Sequence, residues 1–93
     1  MNQANHTLKH CDAIAIAVPN APSSGQVNFA AGGALGDGYV AFTASDKNGT
    51  QIVNVPTGGP GASIVVDELT LVTAHYYSSN PEVQSVSVDI TFP

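Results

Sequence analysis

The chain has 93 residues, of which 43% are apolar and only 10% charged, with a formal net charge of −5. That length makes one domain, and that apolar share excludes disorder by composition. Lys9 and Lys47 are the only basic residues, so the basic cluster that phosphate backbones and anionic lipid surfaces require is missing, and neither a nucleic-acid partner nor membrane insertion is expected.

Ordinary soluble domains carry roughly 25% charged residues. Here solubility rests on Ser, Thr, Asn, Gln and Gly. Such a surface loses water at low cost and favours packing against other copies or other proteins. Cys11 is the single cysteine, so no intrachain disulfide forms. No apolar stretch approaches the ~20 residues of a membrane span. The polar start from Met1 to His10 lacks the basic-then-apolar pattern of a signal peptide. The expectation is synthesis in the cytosol, with release or incorporation into an extracellular or viral assembly left open.

Residues 1–11 are polar and read as an N-terminal arm or an edge strand, ahead of one β domain over 12–93. Asp12 to Val18 has one large apolar face (Ile14, Ile16, Val18) and one small face (Ala13, Ala15, Ala17). That predicts a strand with its large face in the core and its small face close to something else. Pro19 to Gly25 is a turn region. Gln26 to Ala31 alternates, with Val27 and Phe29 inward. The segment Gly32 to Gly38 is too glycine-rich for a helix. Tyr39 to Ser45 is a strand with Val40, Phe42 and Ala44 on one side. Asn48-Gly49 then predicts the tip of a tight hairpin leading into Thr50–Val55.

Pro56 to Gly61 is another turn. Ile64 to Val66 starts a strand that Asp67-Glu68 interrupts as a bulge or short turn, and Leu69 to Tyr77 continues it. After Ser78-Ser79-Asn80-Pro81, the stretch Ser85 to Phe92 alternates without a break. Val86, Val88, Ile90 and Phe92 share its inner face. The sum is an all-β fold: a small two-sheet antiparallel sandwich of six to seven strands, immunoglobulin-like or jelly-roll-like, with Greek-key connections. Two sheets are required because one could not bury both the Val86 and the Ile14 faces.

Site chemistry is sparse. His6, His10 and Cys11 have no second Cys/His pair to complete a metal site. Asp46-Lys47-Asn48-Gly49-Thr50 resembles half a calcium loop, but Thr57 stands where an acidic ligand belongs. The glycines of 32–38 lead into a strand, not the helix N-terminus a phosphate loop needs. Ser63, Ser78, Ser79 and His75 include no nucleophile elbow. No catalytic residue, metal or cofactor is therefore assigned, and no enzymatic activity is expected.

His75-Tyr76-Tyr77 is the candidate binding cluster. Alternation points Tyr76 opposite to its neighbours, so at least one ring faces outward. An exposed Tyr offers apolar area and a hydroxyl at low entropy cost. Asp37 and Asn80, in glycine- and proline-marked loops, complete the candidate set. Two functions are expected from this. The first is a non-enzymatic structural or assembly protein, a coat, decoration or surface-assembly subunit. It would form a homo-oligomer through Ala13, Ala15 and Ala17 or bind another protein. The alternative is a carbohydrate-binding module with a glycan partner at the Tyr cluster.

Overall fold

The protein is described by a computed structural model covering residues 2–18, 23–79 and 85–93. Asn80 and residues 19–22 lie outside the described residues; of the turn expected over Pro19 to Gly25, Ser23, Ser24 and Gly25 belong instead to a strand. Eight strands run in chain order: β1 (Asn2–Leu8), β2 (Ala13–Ala17), β3 (Ser23–Ala31), β4 (Gly38–Asp46), β5 (Gly49–Pro56), β6 (Ala62–Leu69), β7 (Leu71–Ser78) and β8 (Val86–Phe92). They form two antiparallel sheets of four, ordered β1-β8-β3-β6 and β2-β7-β4-β5. No helix occurs among the described residues.

The strand count is eight, not six to seven, for two reasons. The polar segment Asn2–Leu8 pairs along its whole length with β8. Backbone bonding there does not depend on apolar side chains, although Leu8 reaches the core. Further on, Asp67-Glu68 bulges β6 without ending it: Glu68 sits at φ 59° and the β3–β6 register shifts beside it. The true break is at Thr70, where the chain crosses from one sheet to the other. Thr favours strands, so composition does not mark that crossing.

The core fills the space between the sheets. Phe29 of β3 stacks on Phe42 of β4 across the two layers, with ring centroids 4.6 Å apart. Around them Val27, Val40, Val72, Val88 and Ile90 are fully buried. Val86, Val88, Ile90 and Phe92 all point inward, as their alternation predicts. Thr57 is the buried polar residue among those described. Its hydroxyl donates to the Ala34 carbonyl at 2.8 Å, which ties the 32–38 loop to the turn after β5 and removes the desolvation penalty.

The β4–β5 hairpin forms where the sequence places it, with a shifted tip. Asp46 pairs with Gly49, so the chain turns through Lys47 and Asn48. Only Gly49 takes a positive φ, 125°. Asn48 N–H donates to Asp46 Oδ1 at 2.9 Å, an Asx bond that holds the turn without a left-handed Asn.

The two sides of the sandwich differ. β5 and β6 approach each other on one side, and polar bonds lace that side shut. Asp67 N–H donates to Asp46 Oδ2 at 2.8 Å, and Lys47 N–H donates to the Asp67 carbonyl at 3.2 Å. Gln51 Nε2 donates to the Val65 carbonyl at 3.1 Å, and Lys47 Nζ lies 3.0 Å from Asp67 Oδ2. β1 and β2 border the opposite side, where Ala4, Ile14, Ile16 and Val18 are only partly buried against the core.

Candidate functional site: the outer face and free edge of one sheet

Sheet β2-β7-β4-β5 turns Val40, Phe42, Ala44, Val72, Ala74 and Tyr76 inward. The intervening residues form its outer face in cross-strand rows. One row is Pro56, Tyr39 and Tyr77. The next is Asn54, Ala41, His75 and Ala13. Then come Ile52, Thr43, Thr73 and Ala15, and last Thr50, Ser45, Leu71 and Ala17. None of these is Asp, Glu, Lys or Arg. Ile52 is 69% exposed, and Tyr39 and Tyr77 about two fifths.

The Ser and Thr hydroxyls on this face are satisfied internally. Thr43 and Thr73 bond each other, and Ser45 Oγ lies 2.8 Å from Thr50 Oγ1. These four hydroxyls, already partnered, lose little when water leaves. The other sheet differs. Its outer face carries Gln3, Asn5, Asn28, Ser63 and Asp89. There Asn5 bonds Asp89, and Ser63 Oγ donates to Asn28 Oδ1 at 2.6 Å. A shallow depression of about 300 Å³ on that side is lined by Ser24, Gly25, Gln26, Asn28, Thr91, Phe92 and Pro93.

Of the residues expected to bind, His75 and Tyr77 meet on the outer face, with ring centroids 4.1 Å apart. Tyr77 also stacks on Tyr39 at 5.2 Å. Tyr39 is the member of this aromatic patch that sequence reasoning missed. Its signal was there, because Val40 and Phe42 point inward and their neighbour must then point outward. Tyr76 does not belong to the surface. It is wholly buried, and its hydroxyl donates to the Asp37 carbonyl at 3.1 Å.

Asp37 lies at the same end of the molecule, but its groups serve the loop. Oδ2 accepts from Ala34 N–H at 3.2 Å and its carbonyl accepts from Ser79 N–H at 2.9 Å. Gly38 follows at φ 133°, where an added Cβ would lie 2.1 Å from the Tyr77 carbonyl. That close approach holds the loop against β7. His75 Nε2 is shut off from solvent with no hydrogen-bond partner among the described residues. His10 Nδ1 instead accepts from Ser78 N–H at 3.1 Å. No group of three or more His, Cys, Asp or Glu that could hold a metal is gathered among the described residues.

β2 is a free edge of this sheet. Cys11, at φ 67°, and Asp12 together oppose Tyr76: Cys11 N–H donates to the Tyr76 carbonyl, and Tyr76 N–H to the Asp12 carbonyl. This bulge sets the phase of the strand. At its other end Val18 N–H donates to the Thr70 carbonyl. Residues of an antiparallel strand bond alternately to either side. Asp12, Ile14, Ile16 and Val18 therefore bond toward β7, and Ala13, Ala15 and Ala17 direct their N–H and C=O groups out of the sheet edge.

No family model matches this chain, and no curated protein matches it. A solved structure described as "Crystal Structure of Fe(II)-HppE with alternative substrate (S)-1-HPP" is similar to it at a TM-score of 0.40 and 17% identity. The match covers 97% of this chain and 41% of that one, so the chain spans about two fifths of that protein's length. Likeness at that level assigns no activity.

Proposed function

We propose that this chain is a non-enzymatic assembly subunit with a jelly-roll fold, acting by self-association through sheet β2-β7-β4-β5. The orders β1-β8-β3-β6 and β2-β7-β4-β5 support the jelly-roll reading, in which eight strands form two Greek keys. An immunoglobulin-like sandwich divides its strands as ABED and CFG, a pattern these orders do not follow. Jelly rolls serve as capsid, lectin and cupin domains, so function has to be argued from the surface.

The observation that carries the assembly reading is the outer face without a charged side chain. Surfaces exposed to water throughout are studded with charge to keep copies apart. This face instead combines Ile52, Leu71 and the Tyr39–Tyr77 pair with hydroxyls bonded to one another.

The Tyr39–Tyr77 pair supports the second reading, a glycan site, since stacked exposed rings can receive the apolar face of a sugar. Sedimentation at rising concentration separates the two. Self-association is expected, nearly independent of salt because no charges meet, and Ile52→Lys is expected to weaken it. A monomer at every concentration that binds a glycan array would replace assembly with sugar recognition.

A further inference from the structure

We infer that β2 pairs with β2 of a second copy, antiparallel about a two-fold axis at Ala15, joining the two sheets into one of eight strands. The inference rests on the self-association reading above and adds to its contact of outer faces a pairing of edges, with a partner and a register.

A two-fold interface must be self-complementary. The β2 sequence Ala-Ile-Ala-Ile-Ala is the same in both directions. Pairing about Ala15 sets Ala15 against Ala15, Ala13 against Ala17, and Ile14 against Ile16. The backbone phase agrees. Ala13, Ala15 and Ala17 are the residues whose N–H and C=O groups leave the sheet edge. All three pairs are then of the hydrogen-bonded kind. Each exchanges two bonds, so the ladder holds about six, within the range of specific interfaces.

The side chains agree as well. A two-fold axis perpendicular to the sheet keeps inner and outer faces in register. The isoleucines meet on the core side, where Ile14 and Ile16 are only partly buried in one copy. The alanines meet on the outer side, where they are exposed and small. The open margin of the sandwich is thereby covered, and the uncharged outer face becomes continuous across two copies.

The other edges fit this pairing less well. β5 and β6 are laced to each other, and β6 carries a bulge with Asp67 and Glu68. Bulges and charges are the usual guards of a strand edge. β1 reads differently in its two directions. β2 has a bulge and a charge only ahead of its first residue, at Cys11 and Asp12, and neither within Ala13–Ala17.

Cysteine cross-linking with a proline block tests the pairing. Across the axis, Ala15 Cα atoms would lie about 5.5 Å apart, inside the roughly 4.4–6.8 Å span of a disulfide. Cys11 would lie roughly 25 Å from its counterpart. In a Cys11→Ser background, Ala15→Cys is expected to form a covalent dimer on mild oxidation by oxidised glutathione. Ala30→Cys, exposed on the other sheet, is expected to remain uncross-linked.

Ala15→Pro removes an outward N–H and leaves the β2–β7 ladder intact. It is expected to raise the dimer dissociation constant at least about tenfold while the β-type circular dichroism spectrum is kept. A wild-type oligomer that persists with Ala15→Pro and does not link through Ala15→Cys would overturn this pairing and leave self-association standing. A wild-type monomer at high concentration would overturn both. Should Ala15→Pro fail to fold, the cysteine pair alone decides.

Discussion

Val88 is fully buried on β8, between the strands that carry Leu8 and Ala31. Truncation to Ala removes two methyl groups and leaves a cavity the sheet cannot close. Val88→Ala is expected to cost about 2 kcal/mol, read as a lower urea midpoint at unchanged slope. This residue was legible because Ser85–Phe92 alternates cleanly between polar and apolar. The Tyr76–Tyr77 pair was not. Both faces of β7 are mixed: Val72, Ala74 and Tyr76 on one, Leu71, Thr73, His75 and Tyr77 on the other. Alternation says that the two rings point apart, but not which of them enters the core. That choice is made by cross-sheet packing and by the Asp37 carbonyl waiting for the Tyr76 hydroxyl.

At the scale of elements, the bulge in β6 is also a polar clasp. Ser24 Oγ donates to Asp67 Oδ1 at 2.8 Å, and Lys47 approaches the other oxygen. The Ser24 hydrogen bond, then the Lys47 ammonium, holds the Asp67 carboxyl below its ordinary value of 3.8, and Asp67 in turn raises Lys47. A carboxyl whose folded pKa is depressed adds stability above its unfolded value and loses it as pH falls through the folded one. Acid titration of stability is therefore expected to show a component lost below about pH 4, and Asp67→Asn is expected to flatten it. An unchanged acid limb in that variant would mean the clasp exists without contributing. The pair Asp67-Glu68 was visible as an interruption, whereas its partners Ser24 and Lys47 come from β3 and from a hairpin far along the chain. Side-chain bonds between distant segments leave no local pattern. The crossing at Thr70 was hidden for a similar reason: strand-forming residues run on both sides of it.

For the whole molecule, the alternating apolar faces foretold two packed sheets. They did not foretell where the strands lie. The alternating β8 is central, between β1 and β3, while β2 lies at an edge. Strand order follows from pairings made at long range, and those pairings also govern time. β1 finds its partner only in β8, from Asn2 opposite Phe92 to Leu8 opposite Val86. Sheets closed by such distant contacts fold in roughly milliseconds to seconds, because the loop entropy is lost before the contacts reward it. On the ribosome, at about 5–20 residues per second, β1 would emerge several seconds ahead of β8. β1 should then dock after the rate-limiting step. Leu8→Ala is expected to speed unfolding and leave the refolding rate nearly unchanged in stopped-flow traces; equal slowing of refolding would instead place β1 in the nucleus. During that wait a β8 strand from a neighbouring copy competes for β1, so crowded synthesis favours exchanged, intertwined chains over separately closed ones.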